Sequence, residues 1–167
     1  MGMYSATILP EFEAETANTR RVIVQVPDEK YSWKSHPKSN TIGWNVSHLV
    51  EIVSWVPGVL HQTEWETYPE GGEPYRTQLI SSREEALAQF DEHVRVAKSA
   101  LAEISDEAVQ VPWSLLAKGK PLFTHTRAEV IRLFVMNHQI HHRAILCSYL
   151  RLNDIPVPGM YGPSGDE

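Results

Sequence analysis

The stretch TRAEVIRLFVMNHQIHHRAILCSYLRL, Thr126 to Leu152, decides the fold. It opens with Thr126 and Glu129 at capping-box spacing, in which each side chain satisfies an amide at the start of a helix. Ile131, Val135, His138, His142, Ile145, Tyr149 and Leu152 then recur at intervals of three and four, the period of a helix that buries one stripe. Two of those stripe positions are histidines one turn apart. Side chains at i and i+4 stack on one helix face, so His138 and His142 can address a single metal ion. Burying polar rings without partners is costly, and the pair therefore asks for a third group elsewhere in the chain.

Three more segments share this periodicity. From Thr7 to Val26, the positions Ile8, Phe12, Glu15 or Thr16, Thr19, Ile23 and Val26 form a stripe that Pro27 ends. Tyr31 to Asn40 reads as a loop. A second helix, capped by Asn40 or Thr41, carries Trp44, His48, Ile52, Trp55 and Val59 on one side, with Pro57-Gly58 expected to kink or end it. Ser82 and Glu85 repeat the capping-box spacing ahead of Leu87, Phe90, Val94, Ala97, Leu101 and Ile104. The expected fold class is all-α: one domain over residues 1–167, an antiparallel four-helix bundle. Two long connections, 61–80 and 105–123, join the helices. The first is expected to be a crossover or the rim of a site. The Pro- and Gly-rich tail from Asn153 to Glu167 is extended, with Val157, Met160 and Tyr161 able to pack across the bundle.

Composition narrows the partners. A chain of 167 residues with net charge -6 and no dense Lys/Arg run disfavours nucleic acid and anionic membranes. Met1 to Pro10 lacks the basic and apolar regions of a secretory signal, and no stretch approaches the roughly 20 apolar residues of a membrane span. The single cysteine, Cys147, forms no internal disulfide, which fits a reducing, cytoplasmic setting. It stands nine residues beyond His138, about 180° round the helix, and so faces away from the histidine pair.

Of the 8 histidines, His48 sits centrally on the apolar stripe of a different long helix. A divalent ion held by His48, His138 and His142 would pin two helices together, with ligands projecting inward as in other bundle sites. Imidazole suits zinc, nickel and related ions, and three protein ligands leave an open position. Glu51, one turn from His48, is a candidate to orient a ligand ring through its second nitrogen, as is Asn137. His141 is a rim residue, an orienting group or a substrate contact. His36, His61, His93 and His125 read as surface histidines. Gln139 replaces the glutamate of a zinc-protease H-E-x-x-H, and no phosphate-binding glycine motif or hydrolase elbow is present.

Pro27-Asp28-Glu29-Lys30 through Trp33, His36-Pro37-Lys38-Ser39, Ile42-Gly43-Trp44, His48-Leu49, Asn137 to Arg143, Tyr149-Leu150-Arg151-Leu152 and the run from Pro156 to Ser164 together resemble the DinB-like superfamily of metal-binding four-helix bundles. That resemblance implies an up-down-down-up bundle and a metal ion, zinc or nickel, on His48, His138 and His142. It also implies a homodimer and thiol-dependent S-transfer, in which a low-molecular-weight thiol such as bacillithiol or mycothiol acts on a small-molecule electrophile. Arg132, Arg143 or residues of the 61–80 connection are candidates to steer a charged thiol or substrate. The alternative is a non-catalytic, metal-stabilised, stress-related bundle protein. A third reading is a helical dimer without metal.

Overall fold

A computed structural model of the chain describes residues 2–167. Met1, part of the stretch read for a signal, lies outside them. Helix α1 spans Met3–Gln25, α2 Ile42–His61 and α3 Arg83–Glu103. A fourth, continuous helical stretch is built from α4 (Arg127–Val130), a π-helical segment (Ile131–Met136) and α5 (Asn137–Arg151). Side-chain contacts fix the directions. Ser5 meets Leu101, Glu13 meets Lys98 and Arg20 meets Asp91, so α1 and α3 are antiparallel. Glu11 and Glu15 meet Arg132 and Arg143, so α1 and the fourth stretch run the same way. Asn45 and His48 meet His142 and His138, which sets α2 against α5. No helix among the described residues is long and apolar enough to cross a membrane.

The expectation of an all-α fold is wrong. A three-stranded mixed sheet is built out of the two long connections: β1 (Glu64–Glu66) pairs in parallel with β2 (Pro112–Ala117), which pairs antiparallel with β3 (Lys120–Thr126). The hairpin turns at Lys118 and Gly119, both at positive φ (53° and 69°), the backbone that a tight two-residue hairpin requires. Glu66 clamps that turn, accepting bonds from the amides of Lys118 and Gly119 at 3.2 and 2.8 Å. One face of the sheet carries Trp113, Leu115 and Phe123 against the helices, and Phe123 stacks on Phe134 at 4.2 Å. The other carries a Ser114–Thr124 hydroxyl pair at 2.7 Å.

The helix ends follow local chemistry with three exceptions. Thr41 caps α2 through the Trp44 amide, and Thr126 with Glu129 forms the full capping box. Ser82 caps α3 through the Glu85 amide, but the Glu85 carboxylate bonds Ser81 instead of closing the box. Helix α1 begins four residues earlier than its periodicity suggests, because Asp106 accepts from the amides of Met3 and Tyr4 at 2.9 and 2.8 Å. Pro57 does not end α2, which runs on to His61.

Beyond the π-helical segment the buried positions are Gln139, Arg143, Leu146, Tyr149 and Leu150. All but Tyr149 stand one residue later than the expected stripe, and His138 and His142 lie half-buried on its flank. Arg143, 3% exposed, is held by Glu15 at 2.6 Å and Thr19 at 3.3 Å, with the Tyr161 hydroxyl on the same carboxylate at 2.8 Å. The tail is tied down through Tyr161 and through a paired Arg151–Asp166 contact at 2.8 and 2.6 Å. At Gly159 any Cβ would stand 2.4 Å from the Gly162 carbonyl, so only glycine fits that fold-back.

Candidate metal centre

Helices α2 and α5 face each other with His48 on one and His138 and His142 on the other. The three Nε2 atoms converge: His48 to His138 is 3.3 Å and His142 to His138 is 3.1 Å. Nitrogen ligands about 2.0–2.1 Å from a tetrahedral ion stand roughly 3.3–3.4 Å apart, so the spacing fits a shared divalent ion. Among the described residues this is the one cluster of metal-ligating side chains whose donor atoms lie within 4.8 Å of one another.

The outer nitrogens decide what the inner ones present. His48 Nδ1 lies 3.0 Å from Glu51 Oε2 and 3.1 Å from Thr77 Oγ1, and Thr77 itself donates to that carboxylate at 2.9 Å. His142 Nδ1 lies 3.1 Å from Asn45 Oδ1. Carboxylate and amide oxygens only accept, so each Nδ1 carries a proton, and in a neutral ring so held the Nε2 lone pair faces the other imidazoles. His138 Nδ1 is buried without a hydrogen-bond partner. One proton on His138 Nε2 can serve one neighbour, and the other lone pair is left facing nitrogen. A cation resolves all three at once.

Charge agrees with geometry. Burial, reinforced by the charge of His48, pushes His138 down to about 4, and burial with His48 and His138 pushes His142 down to about 3. Both rings are therefore neutral near pH 7 and do not repel a cation. Burial pushes the Glu51 carboxyl up, but hydrogen bonds from His48, Tyr75 and Thr77 outweigh it and hold it below the usual carboxylate range. The Tyr75 hydroxyl is pushed up by burial and by Glu51, and stays protonated as a donor.

The cluster opens on a cavity of about 840 Å³, within the roughly 300–1,000 Å³ of small-molecule sites. His48 and His138 stand in its wall with Trp44, Trp55, Trp65, Trp113, Phe123 and Phe134. Trp44 stacks on His48 at 4.6 Å, and Trp55 meets the same ring edge-on at 5.6 Å. The sheet supplies Trp65, Trp113 and Phe123, so the unforeseen strands are what close this side of the cavity.

His48, His138 and His142 are thus brought together, and Glu51 sits on His48 as its spacing suggests. Asn137 is exposed and bonds none of them; Asn45 takes that place on His142. Asn45 precedes His48 by three residues on the same helix face, a spacing from which it could have been picked. Thr77 and Tyr75 come from the polar connection, where no period marks them. His141 is exposed, its ring 5.0 Å edge-on to His142. His93 is no surface histidine: it bonds the Val50 carbonyl at 3.0 Å and joins α3 to α2. Burial pushes the Cys147 thiol up, and the residue is not in the cavity wall. Arg132 and Arg143 are committed to Glu11 and Glu15.

A family model described as the DinB superfamily matches residues 11–146. The protein YrdA of Bacillus subtilis (strain 168), described as uncharacterized, is 25% identical over 161 residues, covering 94% of this chain and 86% of its own. A DinB-like protein from Bacillus cereus ATCC 10987 superposes with a TM-score of 0.71 at 21% identity, covering 95% of this chain and 100% of that one. The DinB-like protein YjoA of Bacillus subtilis gives a TM-score of 0.65 at 17% identity, covering 89% and 95%. At these identities the two structures speak for the fold.

Proposed function

The chain belongs to the DinB superfamily, and from that premise we propose that it is a divalent-metal-dependent enzyme that transfers a low-molecular-weight thiol to a small electrophile. His48, His138 and His142 are the metal ligands in this reading, with zinc or nickel the ions that three imidazoles suit. The observation that carries it is the convergence of three Nε2 atoms at the wall of an aromatic cavity, with no fourth donor in the cluster among the described residues.

A divalent ion held by His48, His138 and His142 would supply Lewis acidity that lowers the pKa of a thiol. The protein does the rest. Glu51 and Asn45 fix the tautomer and plane of His48 and His142, so the donor set is ready before anything binds. The indoles of Trp44 and Trp55 exclude water from the imidazoles. The cavity holds the electrophile beside them. In the reaction a sulfur–carbon bond forms, the thiol proton passes to solvent, and the leaving group departs with its electron pair.

The protein works as one domain over residues 1–167, in the cytoplasm and as a homodimer, with a small-molecule substrate as its ligand. The test is elemental analysis of protein purified without added metal, followed by thiol-dependent loss of 1-chloro-2,4-dinitrobenzene with cysteine, glutathione, bacillithiol and mycothiol. Stoichiometric metal with turnover on one thiol supports the reading. Stoichiometric metal without turnover on any of them leaves the non-catalytic, metal-stabilised bundle as the better account. No metal in the wild type, and none gained on adding zinc, overturns both.

A further inference from the structure

The cavity wall is uneven in charge. The chain carries 21 acidic residues against 15 basic, yet among the described residues no carboxylate lines the cavity. Among the described residues its one Lys or Arg side chain is Arg76, on the connection between β1 and α3. Arg76 makes no ion pair among the described residues, whereas Arg20, Arg95, Arg132, Arg143 and Arg151 each hold a carboxylate. Its neighbours are pinned: Tyr75 and Thr77 both bond Glu51, and the Tyr75 amide bonds the Thr67 carbonyl at 2.7 Å. The guanidinium thus leaves from an anchored backbone.

The opposite character fills the rest of the wall. Trp55 meets Trp65 at 5.8 Å, and Trp65 meets Tyr75 edge-on at 4.8 Å, which gives flat faces suited to a planar ring. Trp113, 4% exposed, also lines the cavity.

We propose that the cavity takes an aromatic molecule bearing an anionic group, its ring among the tryptophans and its anion on Arg76. This rests on the reading of the cavity as the electrophile's site and names the class of molecule it admits. An unpaired guanidinium at the rim of an apolar cavity selects for an anion, and a carboxylate there would have selected against one. A planar apolar body gains from the indole faces.

The probes are naphthalene-2-sulfonate and its neutral isostere 2-(methylsulfonyl)naphthalene, titrated by quenching of tryptophan fluorescence and checked by calorimetry. Both are measured on zinc-loaded protein and on protein treated with chelator. A rim-exposed charged hydrogen bond corresponds to about fivefold to tenfold tighter binding of the sulfonate, with or without zinc. Arg76→Gln is expected to abolish that preference and leave the sulfone's affinity unchanged, and Arg76→Lys to keep part of it. A sulfonate preference that survives Arg76→Gln but disappears with the metal places the anion on the metal and overturns the proposal. Failure of both probes to bind also overturns it. Neither outcome touches metal content or thiol-dependent turnover, whose absence would instead tell against the enzyme reading.

Discussion

Glu51 is where a small change should report most directly on the metal centre. Its carboxylate takes bonds from His48 Nδ1, Thr77 Oγ1 and the Tyr75 hydroxyl, and so holds one ligand ring in plane while closing the connection over it. Loss of such an orienting partner costs about 10- to 100-fold in metal affinity, or roughly 1.4–2.7 kcal/mol. With free zinc at 100 times the wild-type Kd, binding stabilises the fold by about 2.7 kcal/mol, and at only 10 times Kd by about 1.4 kcal/mol. For a chain of this length each kcal/mol moves Tm by roughly 2–4 °C. Wild type should therefore gain about 5–11 °C with zinc, and Glu51→Ala about 3–6 °C or less at the same free zinc. Glu51→Gln keeps an acceptor for His48 and should fall between them. The assay is competition for zinc with a chromogenic chelator at fixed pH, paired with thermal melts with and without the ion. A Glu51→Ala protein that takes zinc as tightly as wild type would refute the assignment of Glu51 as the group that readies His48.

Three further outcomes are expected. Asn45→Ala should weaken zinc by a similar factor through His142, whereas Asn137→Ala should leave it unchanged; the same chelator competition separates them. Arg143→Met strips the partner from the buried Glu15 carboxylate and should cost about 3–5 kcal/mol in urea unfolding, with the double change Glu15→Gln/Arg143→Met recovering part of it. In metal-free protein His138 and His142 bind protons less readily than an ordinary histidine at about 6.5. The unfolded chain then binds more protons between pH 6.5 and about 4 or 3, so stability should fall as pH drops through that window and be flat above pH 7. His138→Gln should remove its share of that slope in the urea-midpoint profile and leave the share of His142.

The helices were legible because each carries a long stripe of period 3.6, and the three histidines because two of the stripes contain them. The sheet was not. Strand β1 is three residues long, and its parallel partner lies fifty residues away, Glu64 opposite Ser114, so no local alternation announces the pair. Asp106 capping α1 and Glu15 holding Arg143 are invisible for the same reason: each joins residues about a hundred or more apart in the chain. In the candidate site Glu51 follows from its one-turn distance to His48, and Asn45 could have followed by the same reasoning. Tyr75, Thr77 and Arg76 come from a connection without a period, and only the folded chain brings them to the cavity.

The π-helical segment gives the fourth helical stretch a property that a plain α-helix lacks. Each α-helical residue turns the chain by about 100°, and a π turn takes in one extra residue. The two α-helical portions on either side of Ile131–Met136 are therefore out of phase by one residue. Carried forward without that slip, Ile131 and Val135 are followed by His138 and His142, which would put both imidazoles at the floor of the bundle, shut off from any ligand. With the slip, Gln139 and Arg143 take the floor, His138 comes round to the cavity wall and His142 stays half-buried beside it. One surplus residue is thus the difference between a sealed pair of rings and an addressable site. A chain shortened by a single residue within 131–136 should keep its helices yet fail to take up zinc in the chelator competition.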